Sequence, residues 1–424
     1  MEKEVIKSLL FEYQQYVVGI DFIHRDYDID DALNYVFVGI RRAGKSYLMY
    51  QQIAKLVSDG HKPEEILYFN FEDERLDGCS LSDLDLIKTC YEEMYDHKPI
   101  FFLDEIQIIP NWEKFVRRIA DQGYRIYVTG SNAQMLSSEI ATTLGGRFLI
   151  KYVYPYSFSE FLTTNGIDLK MKNLIPAKGK EIVKLHESYF YFGGLPEIYF
   201  IKDKRAWLSN LYQKIFFGDL ITRYQIRNDF ALKIMIRKLA ENVKQPTSFN
   251  RLANVVSSSG KKISTDTVID YLEYLKETWI VFSLENIVSK MVDKVSIKKY
   301  YFIDNGLLNL FLMDPKTSLL ENQVAISLYR LYPNELFFYN KGIEVDFYLF
   351  EKQIAIQVCY SLNNAETYKR EVTALLKLKS QLEVKKMLIV TKEEEKLITI
   401  DGQEIKVFPI WKFLLFTQQY LSEE

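Results

Sequence analysis

Cysteine and histidine are scarce in this chain: Cys79, Cys90 and Cys359 are the three cysteines, and His24, His61, His97 and His186 the four histidines, of 424 residues. An odd number of cysteines with no CxxC spacing leaves no basis for a disulfide framework or a zinc knot, and a reducing cytoplasm is the expected setting. The histidines are too scattered to suggest a metal cluster by spacing. No apolar run reaches the roughly 18 residues of a membrane span, and Met1-Glu2-Lys3-Glu4 is a charged start, so neither span nor signal peptide is expected. An excess of one charge is missing too. Basic residues number 54 and acidic 57, a net of −3, which gives no global pull toward nucleic acid or an anionic membrane. Aromatic residues, by contrast, are plentiful. With 30 Tyr, 28 Phe and 48% hydrophobic content the chain can build large cores, and its length suits two to four domains.

The octapeptide Gly39-Ile40-Arg41-Arg42-Ala43-Gly44-Lys45-Ser46 fits the phosphate-binding pattern G-x-x-x-x-G-K-[ST]. Tyr35-Val36-Phe37-Val38 before it reads as a buried strand, and residues 47–56, from Tyr47 onward, read as a helix. Strand, glycine loop and helix N-terminus are the context that this chemistry needs. Gly39 and Gly44 let the backbone turn so that consecutive N–H groups converge on phosphate oxygens, and the helix terminus adds partial positive charge. Lys45 would reach the β- and γ-phosphates, and the Ser46 hydroxyl would ligate Mg²⁺. A nucleoside triphosphate is the expected ligand of residues 39–47. Arg41 and Arg42 either touch phosphate or pair with Glu105.

Further strands follow. Residues 66–71 end in the acidic run Glu72-Asp73-Glu74, and Pro99-Ile100-Phe101-Phe102-Leu103 runs into Asp104-Glu105. Alone, two acids after a strand cap the next helix. Downstream of a phosphate loop, Asp104 would hold Mg²⁺, usually through a water, and Glu105 would polarise the attacking water. Residues 124–129 lead into Gly130-Ser131-Asn132, which in isolation is turn chemistry. Strands alternating with helices imply a parallel sheet with its ligands at the strand C-termini, where all these segments fall.

The segments GIRRAGKS, FFLDEIQIIPNW, VTGSNAQML, LGGRF with YPYSFSEFL, and YFGGLPE occur in that order over residues 35–200. They resemble the bacterial and archaeal AAA-type ATP-binding proteins that carry a distinctive C-terminal domain, and Gln107 and Trp112 match that family's D-E-x-Q-x-x-x-x-W segment. The resemblance implies ATP and Mg²⁺ as ligands and a polar sensor of the γ-phosphate at the fourth strand end, with Asn132 and Ser131 as candidates. Arg147 falls where such proteins place an arginine finger, acting in cis or on a neighbouring subunit; the plainer alternative is a structural pairing with a core carboxylate. Gly193-Gly194-Leu195-Pro196-Glu197 resembles the Gly-x-Pro element of STAND-type ATPases, whose proline packs on adenine. Pro196 is thus a candidate base contact, with residues 21–25 covering the other side. A glycine helix cap followed by proline accounts for the same residues.

The expected fold is α/β: an AAA+-like P-loop NTPase core on a parallel sheet over residues 1–170, then a helical lid (171–240), a winged helix-turn-helix (241–299) and a nuclease-like α/β domain (300–424). In the third segment Asp266, Asp270, Glu273 and Glu277 share one helix face, opposite Val268, Leu272 and Leu275. A negative stripe is the wrong sign for phosphate-dominated DNA binding, so an internal scaffold or a protein partner is favoured over nucleic acid. Related proteins resemble PD-(D/E)XK nucleases in the fourth segment. Here Asp346 is present, but Gln357 and Cys359 stand where the second acid and the lysine belong, so that chemistry is expected to be lost. The reading as a whole is an ATP- and Mg²⁺-dependent ATPase used as a conformational switch.

Overall fold

The computed structural model describes residues 2–131, 143–167, 174–260 and 262–422. Packing divides the chain into Met1–Tyr154 with Glu277–Trp279, and Pro155–Lys276 with Ile280–Glu424.

The first unit is built on five strands: β1 (Asn34–Val38), β2 (Ile66–Asn70), β3 (Ile100–Asp104), β4 (Ile126–Gly130) and β5 (Phe148–Tyr152). They lie in the order β2-β3-β4-β1-β5 with every pairing parallel. β1 to β4 are buried almost end to end, as strands of a parallel sheet covered on both faces must be. Helices α1 (Lys3–Val18), α2 (Lys45–Ser58), α3 (Leu81–Met94) and α4 (Trp112–Asp121) provide the cover. The abundance of aromatics is explained here: Phe102 stacks on Tyr127 with centroids 4.6 Å apart, and Tyr127 on Tyr35 at 6.0 Å, across three adjacent strands.

The second unit opens with α5 (Phe158–Thr164), α6 (Leu174–Phe192) and α7 (Lys204–Lys214), which leads into a π-helical turn over Ile215–Thr222. The sequence places the end of the first domain at 170. Packing places it after Tyr154, because Phe158, Phe161 and Leu162 of α5 bury against Ile182 and Tyr189 of α6. Next come α8 (Asp229–Glu241), β6 (Thr247–Ser248), α9 (Phe249–Ser258), α10 (Thr265–Glu277), β7 (Val281–Glu285) and β8 (Ile297–Phe302). The three strands form an antiparallel sheet in the order β6-β8-β7. A boundary at 299/300 therefore cuts through β8, whose residues hold the small sheet together by hydrogen bonds. Along α10, Val268, Tyr271, Leu272 and Leu275 are buried while Asp266, Asp270 and Glu273 are exposed.

The chain continues through α11 (Asn305–Asn309), α12 (Lys316–Leu331), β9 (Leu336–Asn340), β10 (Glu344–Leu349), β11 (Ile354–Val358), α13 (Ala365–Leu378), β12 (Lys386–Thr391), β13 (Lys396–Ile400), β14 (Gln403–Pro409) and α14 (Ile410–Ser422). The six strands form one mixed sheet, β13-β14-β12-β11-β10-β9. β9, β10 and β11 run as an antiparallel meander, while β11, β12 and β14 are parallel. Gln357 near the end of β11 and Cys359 just after it are both buried. The Gln357 amide donates to Glu344 O at 3.1 Å and to Glu371 Oε2 at 2.8 Å, and burial pushes the Cys359 thiol up to about 12.

Candidate nucleotide site

β1 delivers its chain into a loop that only glycine can form. Gly39 has φ 153°, and a Cβ there would meet Val153 O at 2.1 Å. Gly44, at φ 94°, turns the backbone into the first residue of α2. Between them Ile40 and Ala43 are buried, and Arg42 is held in the left-handed region at φ 66°. Strain of this kind persists only where the surroundings over-determine the loop. Arg25 supplies part of that support. It is 3% exposed and donates from Nη1 to Ala43 O at 3.0 Å and from Nη2 to Tyr154 O at 2.9 Å.

Lys45 is buried, and its ammonium folds back over its own loop, 3.2 Å from Gly39 O and 3.4 Å from Ile40 O. It also lies 3.5 Å from Glu105 Oε1. A buried ammonium held by two neutral carbonyls and one carboxylate is poised to take a stronger anionic partner.

The carboxylates are organised by β3 and β4. Asp104 accepts from Tyr68 Oη at 2.8 Å, from Thr129 Oγ1, and from the Ser46 hydroxyl. Burial, and then the neighbouring Glu105 charge, push the Asp104 carboxyl above its ordinary range, with those three hydrogen bonds pulling the other way. Glu105 takes a left-handed conformation at φ 53°, fixed by a 2.8 Å hydrogen bond from its N–H to Thr129 Oγ1. Burial opposes its ionisation, yet Lys45 first, then Gln107, Arg41 and Ser131, bring its carboxyl below the ordinary value. Gln107 Nε2 donates to Glu105 Oε2 at 2.6 Å, while Gln107 Oε1 is buried without a partner among the described residues. Glycine cradle, poised ammonium, adjacent carboxylates and an orphaned acceptor fit a phosphate chain with its Mg²⁺.

The family described as "AAA domain" matches residues 5–162, and one described as a domain of unknown function (DUF8612) matches residues 183–318. An uncharacterized protein of Methanocaldococcus jannaschii is 37% identical, the match covering 98% of this chain and 96% of its own length. The chain belongs to the AAA-type P-loop ATPase family. An uncharacterized Haemophilus influenzae protein is 32% identical over 64% of this chain and 67% of its own length. Among solved structures, a Walker-type ATPase of Pyrococcus abyssi aligns at 13% identity and a TM-score of 0.41, covering 72% of this chain and 94% of that one. The Aeropyrum pernix ORC1 protein in complex with DNA aligns at 15% identity and a TM-score of 0.28, covering 74% of this chain and 93% of that one.

In this AAA-family chain the remaining candidates fall in several places. Arg41 pairs with Glu72 at 2.6 Å after β2, and its charge also acts on the Glu105 carboxyl. Tyr47 is half exposed, its ring centroid 5.5 Å from that of Tyr50. Ser131 is buried beside Gln107, 3.4 Å from its Nε2; Asn132 lies outside the described residues. Pro196 opens a 3₁₀ turn (Pro196–Phe200) of the second unit.

Arg147, for which a finger in cis, a finger on a neighbouring subunit and a structural pairing were all open, lies away from the phosphate loop of its own chain. Val38, where the phosphate loop departs, pairs with Tyr152, whereas Asn34 pairs with Phe148. Arg147, one residue before Phe148, therefore stands toward the opposite end of the strands, about 16 Å of strand away at ~3.3 Å per residue. There its Nε pairs with Asp121 Oδ1 at 2.5 Å, both side chains being exposed. Three residues that organise the site were not expected to do so from the sequence: Arg25, Tyr68 and Thr129, the last within the VTGSNAQML segment.

Proposed function

We propose that this chain is a Mg²⁺-dependent ATP hydrolase whose turnover switches the conformation of its C-terminal region. The observation that carries the reading is the chain of contacts Lys45–Glu105–Gln107–Ser131 beside Ser46–Asp104–Thr129, which joins a phosphate cradle to a paired-carboxylate centre. Residues 39–47 bind the phosphate chain, and Lys45 leaves its two loop carbonyls to meet the β- and γ-phosphates. Ser46 and Asp104 would hold Mg²⁺, which supplies charge neutralisation on the phosphates. Asp104-Glu105 is the Walker B pair on this reading. Glu105, kept ionised by Lys45 and fixed by Thr129, orients and deprotonates the attacking water. Asn132 serves as the γ-phosphate sensor and Pro196 as an adenine contact. If Arg147 acts at all, it acts on a neighbouring subunit.

β6, α9, α10, β7 and β8, preceded by α8, make a winged helix on this reading, and α12-β9-β10-β11-α13-β12 makes a nuclease-type core that lacks its second acid and lysine. The exposed acids of α10 favour a protein partner over DNA for the winged helix. Phosphate release from Mg²⁺-ATP by the purified chain, with Lys45→Ala and Glu105→Gln alongside, tests the reading. Release that both substitutions remove supports it. Tight ATP binding with no release in the unaltered chain would overturn hydrolysis and leave a nucleotide-gated binding module.

A further inference from the structure

A buried, heavily charged place in the second unit lies between β8, α12 and β10, remote in sequence from every nucleotide-site residue. Lys299 of β8 has a side chain with no exposure at all, and its Nζ lies 3.0 Å from Glu344 Oε1 and 3.4 Å each from Glu321 Oε1 and Asp346 Oδ1. Glu321 and Asp346 are held by further bonds. Tyr301 Oη donates to Glu321 at 2.8 Å, and Val358 N–H donates to Asp346 Oδ2 at 2.9 Å. Gln357 accepts from the Asp346 N–H at 2.8 Å and donates to Glu344 O, which fixes the strand that carries both acids. Neighbouring elements thus aim three carboxylates at one point, and a single ammonium fills it.

Three carboxylates and one lysine leave an excess of negative charge, and an unpaired charge in such a place is costly. Without the lysine the group would have to protonate, splay apart or take up a cation. The oxygens stand at ammonium distance rather than the about 2.0–2.1 Å that Mg²⁺ requires. Accordingly, among the described residues no set of acidic, histidine or cysteine side chains is close enough together to hold a metal ion as it stands. The Glu344 side chain is 37% exposed, although the Oε1 that faces Lys299 is itself buried.

We propose that the Lys299 ammonium is a built-in counter-ion occupying a divalent-cation centre made by Glu321, Glu344 and Asp346, and that it keeps metal ions out of this domain. The centre is metal-free by construction, and removing the lysine unmasks a site for Mn²⁺ or Mg²⁺. The inference does not depend on ATP hydrolysis.

The test is Mn²⁺ binding to the nucleotide-free full chain, followed by the paramagnetic signal of free Mn²⁺. The unaltered chain should take up no tightly held ion, whereas Lys299→Ala should bind one Mn²⁺ per chain at least tenfold more tightly, and Mn²⁺ but not Na⁺ should raise its thermal midpoint. Adding Asp346→Asn to Lys299→Ala should remove the gain. Equal Mn²⁺ binding by the unaltered chain would overturn the proposal. So would a folded Lys299→Ala chain that binds none, or a gain that survives Asp346→Asn. Should Lys299→Ala fail to fold alone, recovery on refolding with Mn²⁺ supports the proposal, and no recovery with Mn²⁺ overturns it.

Discussion

Asp304 accepts the backbone N–H of Gly194 at 2.7 Å, joining residues 110 positions apart. Its other oxygen accepts from Gly306 N at 2.8 Å and Leu307 N at 3.2 Å, starting α11. The two glycines after α6 are there because of this knot: a Cβ on Gly193, at φ 76°, would meet Asp304 Oδ1 at 2.1 Å, and one on Gly194 would meet Tyr156 O at 2.2 Å. The Gly-Gly-Leu-Pro segment thus has a packing duty whatever Pro196 contacts. Gly193→Ala is expected to destabilise the chain by at least about 2 kcal/mol, from left-handed strain and overlap together. Asp304→Asn keeps an acceptor for the α11 amides but turns an N–H₂ toward Gly194, at about 1–3 kcal/mol. Denaturant midpoints at constant m-value check both. Unchanged midpoints would remove Asp304 as the tie.

Nucleotide binding and turnover should separate at Lys45 and Glu105. Lys45→Ala removes the poised ammonium and should weaken ATP binding tenfold to about 150-fold, matching about 1.5–3 kcal/mol for a hydrogen bond to a charged group. Glu105→Gln keeps shape and the Gln107 neighbour but loses the base, so affinity should hold while turnover falls about 10²–10⁴-fold. Equilibrium binding of a fluorescent ATP analogue and phosphate release measure the two effects independently. Undiminished release by Glu105→Gln would take that residue out of the chemistry.

Thr129 joins the two carboxylates, since its one hydroxyl donates to Asp104 and accepts from the Glu105 N–H. Thr129→Val leaves the Glu105 N–H without that acceptor and takes from Asp104 one of its three donors, in a buried place, and should cost about 1–3 kcal/mol of stability together with turnover. Thr129→Ser keeps the hydroxyl and should recover most of the turnover. Equal loss in the two variants would mean that packing rather than the hydroxyl matters.

How far the sequence could be read follows from where each piece of information sits. The phosphate loop and Asp104-Glu105 were legible because local chemistry, glycine conformation and a strand end constrain adjacent residues. The parallel sheet was legible from alternating apolar runs. Arg25 was not read as a loop support, since its value comes from lying under Ala43, 18 residues later. Lys299 is one of 54 basic residues and is marked only by the three acids that the fold brings to it. The place of Arg147 was not legible, because a position in a motif order does not say which end of a strand it occupies; the register with Asn34 does.

Arg25 offers a test of loop support apart from phosphate contact. Arg25→Met keeps the length and apolar stem but leaves Ala43 O and Tyr154 O without their donor, which should cost about 1–3 kcal/mol in a buried setting. The loop would then be less pre-organised, so ATP affinity should fall while the turnover of bound ATP stays near its original value. A drop in turnover with affinity intact, read from single-turnover and equilibrium binding together, would instead place Arg25 in the chemical step.

The second unit should carry a pH signature written by His186. That ring is buried, 3.1 Å from Gln323 Oε1, and burial with the nearby Lys392 charge lowers it from 6.5 to about 3. The unfolded chain therefore binds a proton that the folded chain refuses between those two values. Stability from this group is complete above about pH 6.5 and is lost as pH falls toward 3, at up to about 1.4 kcal/mol per pH unit. Asp304 works in the opposite sense: burial raises it from 3.8 to about 6, so the folded state holds the extra proton and gains stability as pH falls through that window. The two partly cancel in the unaltered chain, which is why the comparison must be made against His186→Gln. The stability difference between the two proteins should be steady from pH 8 to 7 and then shift by about 2 kcal/mol in favour of the variant by pH 5. Denaturant titrations at each pH measure it, and a difference that stays flat down to pH 5 would show that the imidazole takes up its proton without unfolding.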